Sequence, residues 1–322
     1  VPPWAYAGAW VAPYLPVAVL AAVALRQGYL SGRAGTRAVR PDERAGLRRR
    51  FWGFTGPRAV ASVAQLALQR VDVLLVAALS GLAPAAVYAV AGRFVVLGQF
   101  ANQAISQAVQ PRLAEALAVD DRAGANSLYQ TATGWLVLAT WPLYLMVITY
   151  APVYLGLFGE RYRSGAAVVV VLACAMLFAT GCGMVDMVLA MAGRTRWNLG
   201  NVLIALTVTV LLDLALIPRY GALGAAIGLA VAVVVNNLLP LLQVGRALGL
   251  HPFGGGTVTA AGLALGCFGV LPQLVAAVTG TGPAGLLGAL ALALPAYLAG
   301  ARRLRYPLAL DSFSQLRRRR AR

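Results

Sequence analysis

Residues 55–112 read TGPRAVASVAQLALQRVDVLLVAALSGLAPAAVYAVAGRFVVLGQFANQAISQAVQPR, two long apolar runs folded about the turn Gly81-Leu82-Ala83-Pro84. In the first run Thr55, Arg58, Ser62, Gln65, Gln69 and Asp72 recur at spacings of 3, 4, 3, 4 and 3. That period places all six on one stripe of a helix. The second run repeats the device with Gln99, Asn102, Gln103, Ser106 and Gln110. Apolar runs this long suit a hydrocarbon layer of about 30 Å. A polar stripe about 25 Å long cannot face lipid, so both stripes are expected to face protein or water. Hydrogen bonding between helices accounts for single polar residues; six in register favour a hydrated cavity.

Outward from this hairpin the pattern repeats. An apolar run at about 4–25 precedes it, and the two hairpin runs occupy about 53–79 and 85–117. Further runs follow at about 127–151, 164–192, 197–217, 222–245, 258–279 and 283–301. The chain therefore reads as an all-α integral membrane protein of about nine transmembrane helices. Composition agrees, with 60% hydrophobic and 11% charged residues. Mean hydropathy is +0.74.

Arginine gives the orientation. The chain has no Lys, and 21 of its 27 arginines fall in connections on one side of the spans. They lie in 26–50, at Arg112, Arg122, Arg194, Arg196 and Arg246, and in the tail from Arg302 to Arg322. Arg161, Arg163 and Arg219 lie on the other side, and Arg58, Arg70 and Arg93 lie within spans. Loops rich in Arg stay in the cytoplasm, so the C-terminus is expected there. The net charge of +17 sits in short loops and a tail, which argues against a nucleic-acid partner. The tail also suits anionic lipid. Cys174, Cys182 and Cys267 lie in apolar runs, and His251 is the only histidine, so neither a disulfide framework nor a metal site is indicated and no cofactor is expected.

Charges inside spans are the functional pointers, because each costs a few kcal/mol at mid-bilayer. Arg70 and Arg93 stand about 14 Å from the connecting turn. Folding the hairpin puts Asp72 level with Arg93. An ion pair between them and separate roles both remain open. Either way the hairpin holds more buried Arg than buried Asp, and a guanidinium donates two parallel hydrogen bonds to phosphate. Asp186 follows Gly181-Cys182-Gly183, a point of weakness in its helix. It could hold a structural hydrogen bond or carry a coupling proton or cation. Asp213, near Pro218 and Arg219, reads as solvated or paired. Gly224/Gly228 and Gly262/Gly266 read as small-residue contacts between closely packed helices.

Several stretches together resemble the bacterial polysaccharide (O-antigen type) flippases of the multidrug/oligosaccharidyl-lipid/polysaccharide exporter superfamily. They are Arg70-Val71-Asp72 with Tyr88 and Arg93; Gln110-Pro111-Arg112-Leu113; and Leu157-Phe158-Gly159 with Tyr162 and Gly165. Met191-Ala192-Gly193-Arg194 follows, then Ile217-Pro218-Arg219-Tyr220-Gly221 with Gly224-Ala225-Ala226. The resemblance runs from about residue 50 to 255. It implies a two-lobed bundle of 12 to 14 helices that moves undecaprenyl-pyrophosphate-linked glycans to the outer leaflet of the plasma (inner) membrane by alternating access.

In that frame residues 1–50 hold the last helix of the first lobe and a basic connection. Residues 51–257 form the six-helix second lobe, and 258–322 hold two accessory helices and the tail. Arg70 and Arg93, with Arg58, attract the pyrophosphate and Asp72 tunes them. Gln65, Gln69, Asn102 and Gln103 meet sugar hydroxyls, and Asp186 is the coupling candidate. Glycan polymerase and glycosyltransferases are the implied partners. The competing functions are a drug/cation antiporter of the same superfamily, which calls for an acidic cavity, and a non-transporting scaffold for polysaccharide assembly. A multispan glycosyltransferase would need a carboxylate pair or His base near an outer loop, where only Glu160 stands.

The resemblance also implies a missing first lobe. The coding region is expected to extend upstream by five helices. A native protein that starts at Val1 and still translocates a lipid-linked sugar would overturn that expectation.

Overall fold

The computed structural model describes residues 12, 14–31, 41–68 and 70–309, and these are largely helical with no strand among them. The chain divides into two compact units, Val1–Thr55 and Gly56–Arg322. The first unit contains α1 (Tyr14–Ser31) and the start of α2 (Pro41–Leu68). The second contains the rest of α2, then α3 (Val71–Ser80), α4 (Leu82–Ala118) and α5 (Arg122–Gly156). A 3-10 turn at Glu160–Gly165 leads into α6 (Ala166–Gly181) and α7 (Val185–Met191). Then come α8 (Thr195–Tyr220), α9 (Ala222–Leu248), α10 (Gly255–Ala264), α11 (Leu271–Thr279) and α12 (Pro283–Arg303).

Eight stretches among the described residues are long and apolar enough to cross a membrane. The chain is a multi-pass membrane protein. Of the nine expected spans, the one at 4–25 falls partly outside the described residues, and its described part includes the short apolar stretch Leu15–Ala24 of α1. The other eight occur in the expected order, but two of them are interrupted.

The second expected span is not one helix. It stops at Leu68 and restarts at Val71, with Arg70 in the N-cap position (φ −127°, ψ −20°). Arg is a poor N-cap, since it has no side-chain acceptor for the free backbone N–H groups and its charge opposes the helix dipole. Asp72 in the first turn has the favourable sign. The fifth expected span breaks at Cys182-Gly183-Met184, where Gly183 takes φ +72°. A Cβ there would collide with the Thr133 hydroxyl, so the position accepts only glycine.

Two apolar clusters hold the second unit together, and the space between them is where the site lies. One joins Val76, Tyr88, Ala91, Leu155, Leu172 and Ile217, from α3, α4, α5, α6 and α8. The other joins Leu113, Tyr129, Leu136, Val188, Leu189 and Val244, from α4, α5, α7 and α9. Along α4 the fully buried members of the clusters lie at residues 85–91 and 109–113, and the polar side chains Gln99, Asn102 and Ser106 lie between them. A third cluster seats α12 and the π-helical turn before α11 on α5, through Tyr150, Phe268, Ala289 and Ala293. Leu308, beyond α12, packs on Val137 and Ala260, and its carbonyl accepts from the Trp135 indole N–H at 3.1 Å.

Helices α8 and α9 pack along most of their length. A Cβ on Gly224 would lie 2.5 Å from the Leu216 carbonyl oxygen, and one on Gly228 would run into the Asp213 carboxylate. Gly262 and Gly266, which the sequence presents as the same device, have nothing within 4 Å of the place a methyl would take. The spacing is shared, but only the first pair faces a helix close enough to need it. Gly224→Ala should therefore push α8 and α9 apart at a cost of about 1–3 kcal/mol, seen as a lower Tm in detergent. Gly262→Ala should leave Tm unchanged; equal behaviour of the two variants would refute the close contact.

Candidate functional site

A cavity of about 640 Å³ opens in the second unit between the two apolar clusters. Its size falls in the range of ligand-binding cavities. The α2–α3 side contributes Gln65, Arg70 and Asp72, and α4 contributes Tyr88, Arg93, Gln99, Asn102 and Ser106. The opposite wall comes from Thr180 and Asp186 around the α6–α7 break, and from Asn236 and Asn237 on α9. Gln65 and Asp72 of the first polar stripe and Gln99, Asn102 and Ser106 of the second thus border open space.

Of the residues singled out in the sequence, Gln65, Arg70, Asp72, Arg93, Asn102 and Asp186 meet around this cavity. Gln103 does not line it; it sits one position round the helix from Asn102 and is exposed. Gln69 and the Arg58 side chain lie outside the described residues.

The electrostatics are uneven. Asp72 is buried, and its Oδ2 accepts a hydrogen bond from the Tyr88 hydroxyl rather than from Arg93. Among the described residues the ion pairs are Arg122–Asp120 at 3.1 Å and Arg163–Glu160 at 3.0 Å, both exposed. The ion pair between Asp72 and Arg93 is therefore not formed. Tyr88 lies five residues, about 1.4 turns, before Arg93 on the same helix, and it presents the nearer donor. Arg70 and Arg93 remain exposed at the cavity with no carboxylate within 4 Å among the described residues.

Asp213 corrects the sequence reading. It is fully buried, and neither carboxylate oxygen has a hydrogen-bond partner among the described residues. It lies close enough to Asp72 and Tyr88 to interact electrostatically. Its distance from the end of α8, about 10 Å, was the available signal that it would not reach water. Asn236 and Asn237 were also missed. Two amides in succession within Val233-Val234-Val235-Asn236-Asn237-Leu238-Leu239 are conspicuous in an apolar run. Asn236 is buried with Oδ1 unpartnered, while Asn237 donates to the Val233 carbonyl at 2.8 Å.

A close approach shapes the middle of the cavity. Tyr144 of α5 reaches across to α4, where its hydroxyl donates to the Val95 carbonyl at 3.2 Å. Gly98 makes room for it, since a Cβ there would collide with the Tyr144 ring. Among the described residues no three His, Cys, Asp or Glu side chains group as a metal site.

Removing the Tyr88 hydroxyl would leave both Asp72 oxygens unpartnered. Tyr88→Phe should destabilise the protein by about 1–3 kcal/mol. In a double-mutant cycle with Asp72→Ala, which removes the acceptor, additive unfolding energies would show that the bond contributes nothing.

The sequence profile of a family described as "Polysaccharide biosynthesis protein" matches residues 35–167. No curated protein sequence matches the chain. Among solved structures, "Lipid II flippase MurJ, inward closed conformation" superposes with a TM-score of 0.60 at 14% identity. The match covers 76% of this chain and 52% of that one, so the chain spans about half the length of the flippase it resembles. At this identity the likeness is one of fold. Residues 35–167 thus match the profile of a polysaccharide biosynthesis family, and over most of its length the chain shares the fold of that flippase.

Proposed function

We propose that this chain provides one lobe of a transporter, not an enzyme, that moves undecaprenyl-pyrophosphate-linked oligosaccharide to the outer leaflet of the bacterial plasma membrane for surface polysaccharide synthesis. The observation that carries this reading is a pair of guanidiniums, Arg70 and Arg93, bordering one intramembrane cavity without partner carboxylates among the described residues. A lipid pyrophosphate supplies the missing anion, and each planar guanidinium can hold it through two parallel hydrogen bonds. Asp72, held by Tyr88 beside Arg70, limits the positive field. Gln65, Gln99 and Asn102 supply amide donors and acceptors to sugar hydroxyls, facing Asn236 and Asn237 across the cavity. The apolar prenyl chain needs no such cavity and stays in the lipid.

Transport follows from rocking this lobe against its counterpart, so that the cavity faces each side in turn. The C-terminal tail then lies in the cytoplasm, within reach of the polymerase and glycosyltransferases that make and use the glycan. A drug/cation antiporter is favoured less, because the charges exposed at the cavity are cationic. A scaffold role leaves the polar stripes without a purpose.

Arg70→Ala and Arg93→Ala should each abolish glycan export while leaving membrane insertion intact. The measurement is leaflet-resolved lipid-linked sugar in a complemented knockout. Full complementation by both variants would remove the phosphate site from the reading.

A further inference from the structure

We propose that the stretch of cavity beyond the arginines, walled by Asn102, Asp186 and Asn236, is a sugar-selecting subsite that takes a neutral sugar next to the pyrophosphate. The pyrophosphate rests on the flippase reading above; the subsite itself stands on hydrogen-bonding groups left free in this unit.

The two apolar clusters give the cavity a direction. On α4, Arg93 stands beside Ala91 of the first cluster. Asn102 and Ser106 lie nine and thirteen residues further on, toward Val109 of the second cluster. Those steps correspond to about 14 and 20 Å along the helix axis. Arg70 opens α3, which belongs to the first cluster through Val76. On α9, Asn236 lies between Ala226 of the first cluster and Val244 of the second, as Asn102 lies between Ala91 and Val109. Asp186 adjoins Val185 of the second cluster, and the helix that carries it, α7, packs on both α4 and α9. The Ser106 hydroxyl donates to the Met184 sulfur at 2.7 Å and so holds the start of α7 against α4. The cations thus border one end of the cavity, and amides with a carboxylate border the rest.

That second part is short of donors. Asn236 is only 7% exposed, lines the cavity and has Oδ1 without a partner among the described residues. Asp186 Oδ1 is also buried and unpartnered there, and neither ion pair among the described residues involves Asp186. The Ser106 proton is turned to Met184, and Asn237 gives an amide proton to the Val233 carbonyl at 2.8 Å. A buried acceptor left unpaired lowers stability. A ligand that brings its own donors removes that cost. Sugar hydroxyls are such donors, and so is the N–H of an acetamido sugar. The carboxylate adds a charge preference, because an acidic sugar beside it would set like charges together. The chemistry that fits both ends is an anion joined to a neutral, hydroxyl-rich ring.

The test uses the full-length protein in lipid nanodiscs. It is titrated with undecaprenyl pyrophosphate, with its glucosyl and glucuronosyl derivatives, and with methyl glucoside as a lipid-free probe. The wild type should bind the glucosyl probe about tenfold tighter than the sugar-free and glucuronosyl probes, a factor within reach of one hydrogen bond to an otherwise unpaired buried group. Asn236→Leu should lose that preference while its Kd for the sugar-free probe stays unchanged. Asp186→Ala should lose it too, and should no longer discriminate between glucosyl and glucuronosyl. Asn236→Leu should also melt no lower than the wild type, since it removes an unpaired oxygen; a purely structural amide would lower Tm. Equal Kd values for all three undecaprenyl probes in the wild type overturn the subsite and leave the flippase reading standing. A glucosyl preference that survives both substitutions, or equal weakening of every probe by them, also overturns it. If the wild type binds no undecaprenyl probe but binds methyl glucoside through Asp186 and Asn236, the subsite stands and the flippase reading falls.

Discussion

A guanidinium deep in a membrane protein has to be solvated by something, and the nature of that something organises this structure. Lipid cannot do it, so Arg70 and Arg93 must meet a carboxylate or a water-filled space. The obvious carboxylate, Asp72, is taken by Tyr88. The two cations are therefore left at an open cavity, and the helices that carry them pack above and below it rather than through it. Neither cation has a carboxylate partner among the described residues.

Holding such a cavity open requires tight packing elsewhere. Glycines at 224 and 228 bring α8 and α9 close, and Gly98 admits the Tyr144 ring between α4 and α5. The tyrosines Tyr88, Tyr129, Tyr144 and Tyr150 each span two elements, apolar in body and ending in a hydroxyl that finds an oxygen acceptor. The same devices isolate two irregular points, at Arg70 and at residues 182–184, and both border the cavity. Irregular backbone at membrane depth survives only where protein or water meets its free polar groups. At the second break Tyr129 does so for the Cys182 carbonyl.

The fold shared with a flippase about twice the matched length gives the cavity its context. The cavity's polar and cationic groups come from both of its walls.

What the sequence determined by itself was whatever depends on period and on sidedness. Apolar runs of membrane length read as helices because the backbone must satisfy itself in lipid. The 3-4 spacing of Gln65, Asp72, Gln99 and Asn102 aimed them at water because nothing else would take six polar groups in line. Tertiary structure decided whatever depends on which neighbour arrives first. It gave Asp72 to Tyr88 rather than Arg93, and it buried Asp213, read from the sequence as solvated or paired, with no partner among the described residues. It separated Gly224 from Gly262, whose local sequences are alike but whose facing surfaces are not. It also brought Asn236, Asn237 and Asp186 opposite the hairpin, more than 80 residues downstream of Asn102 in each case. Periodicity is a property of one helix; partners across a cavity are a property of the packing of several, and no local pattern encodes it.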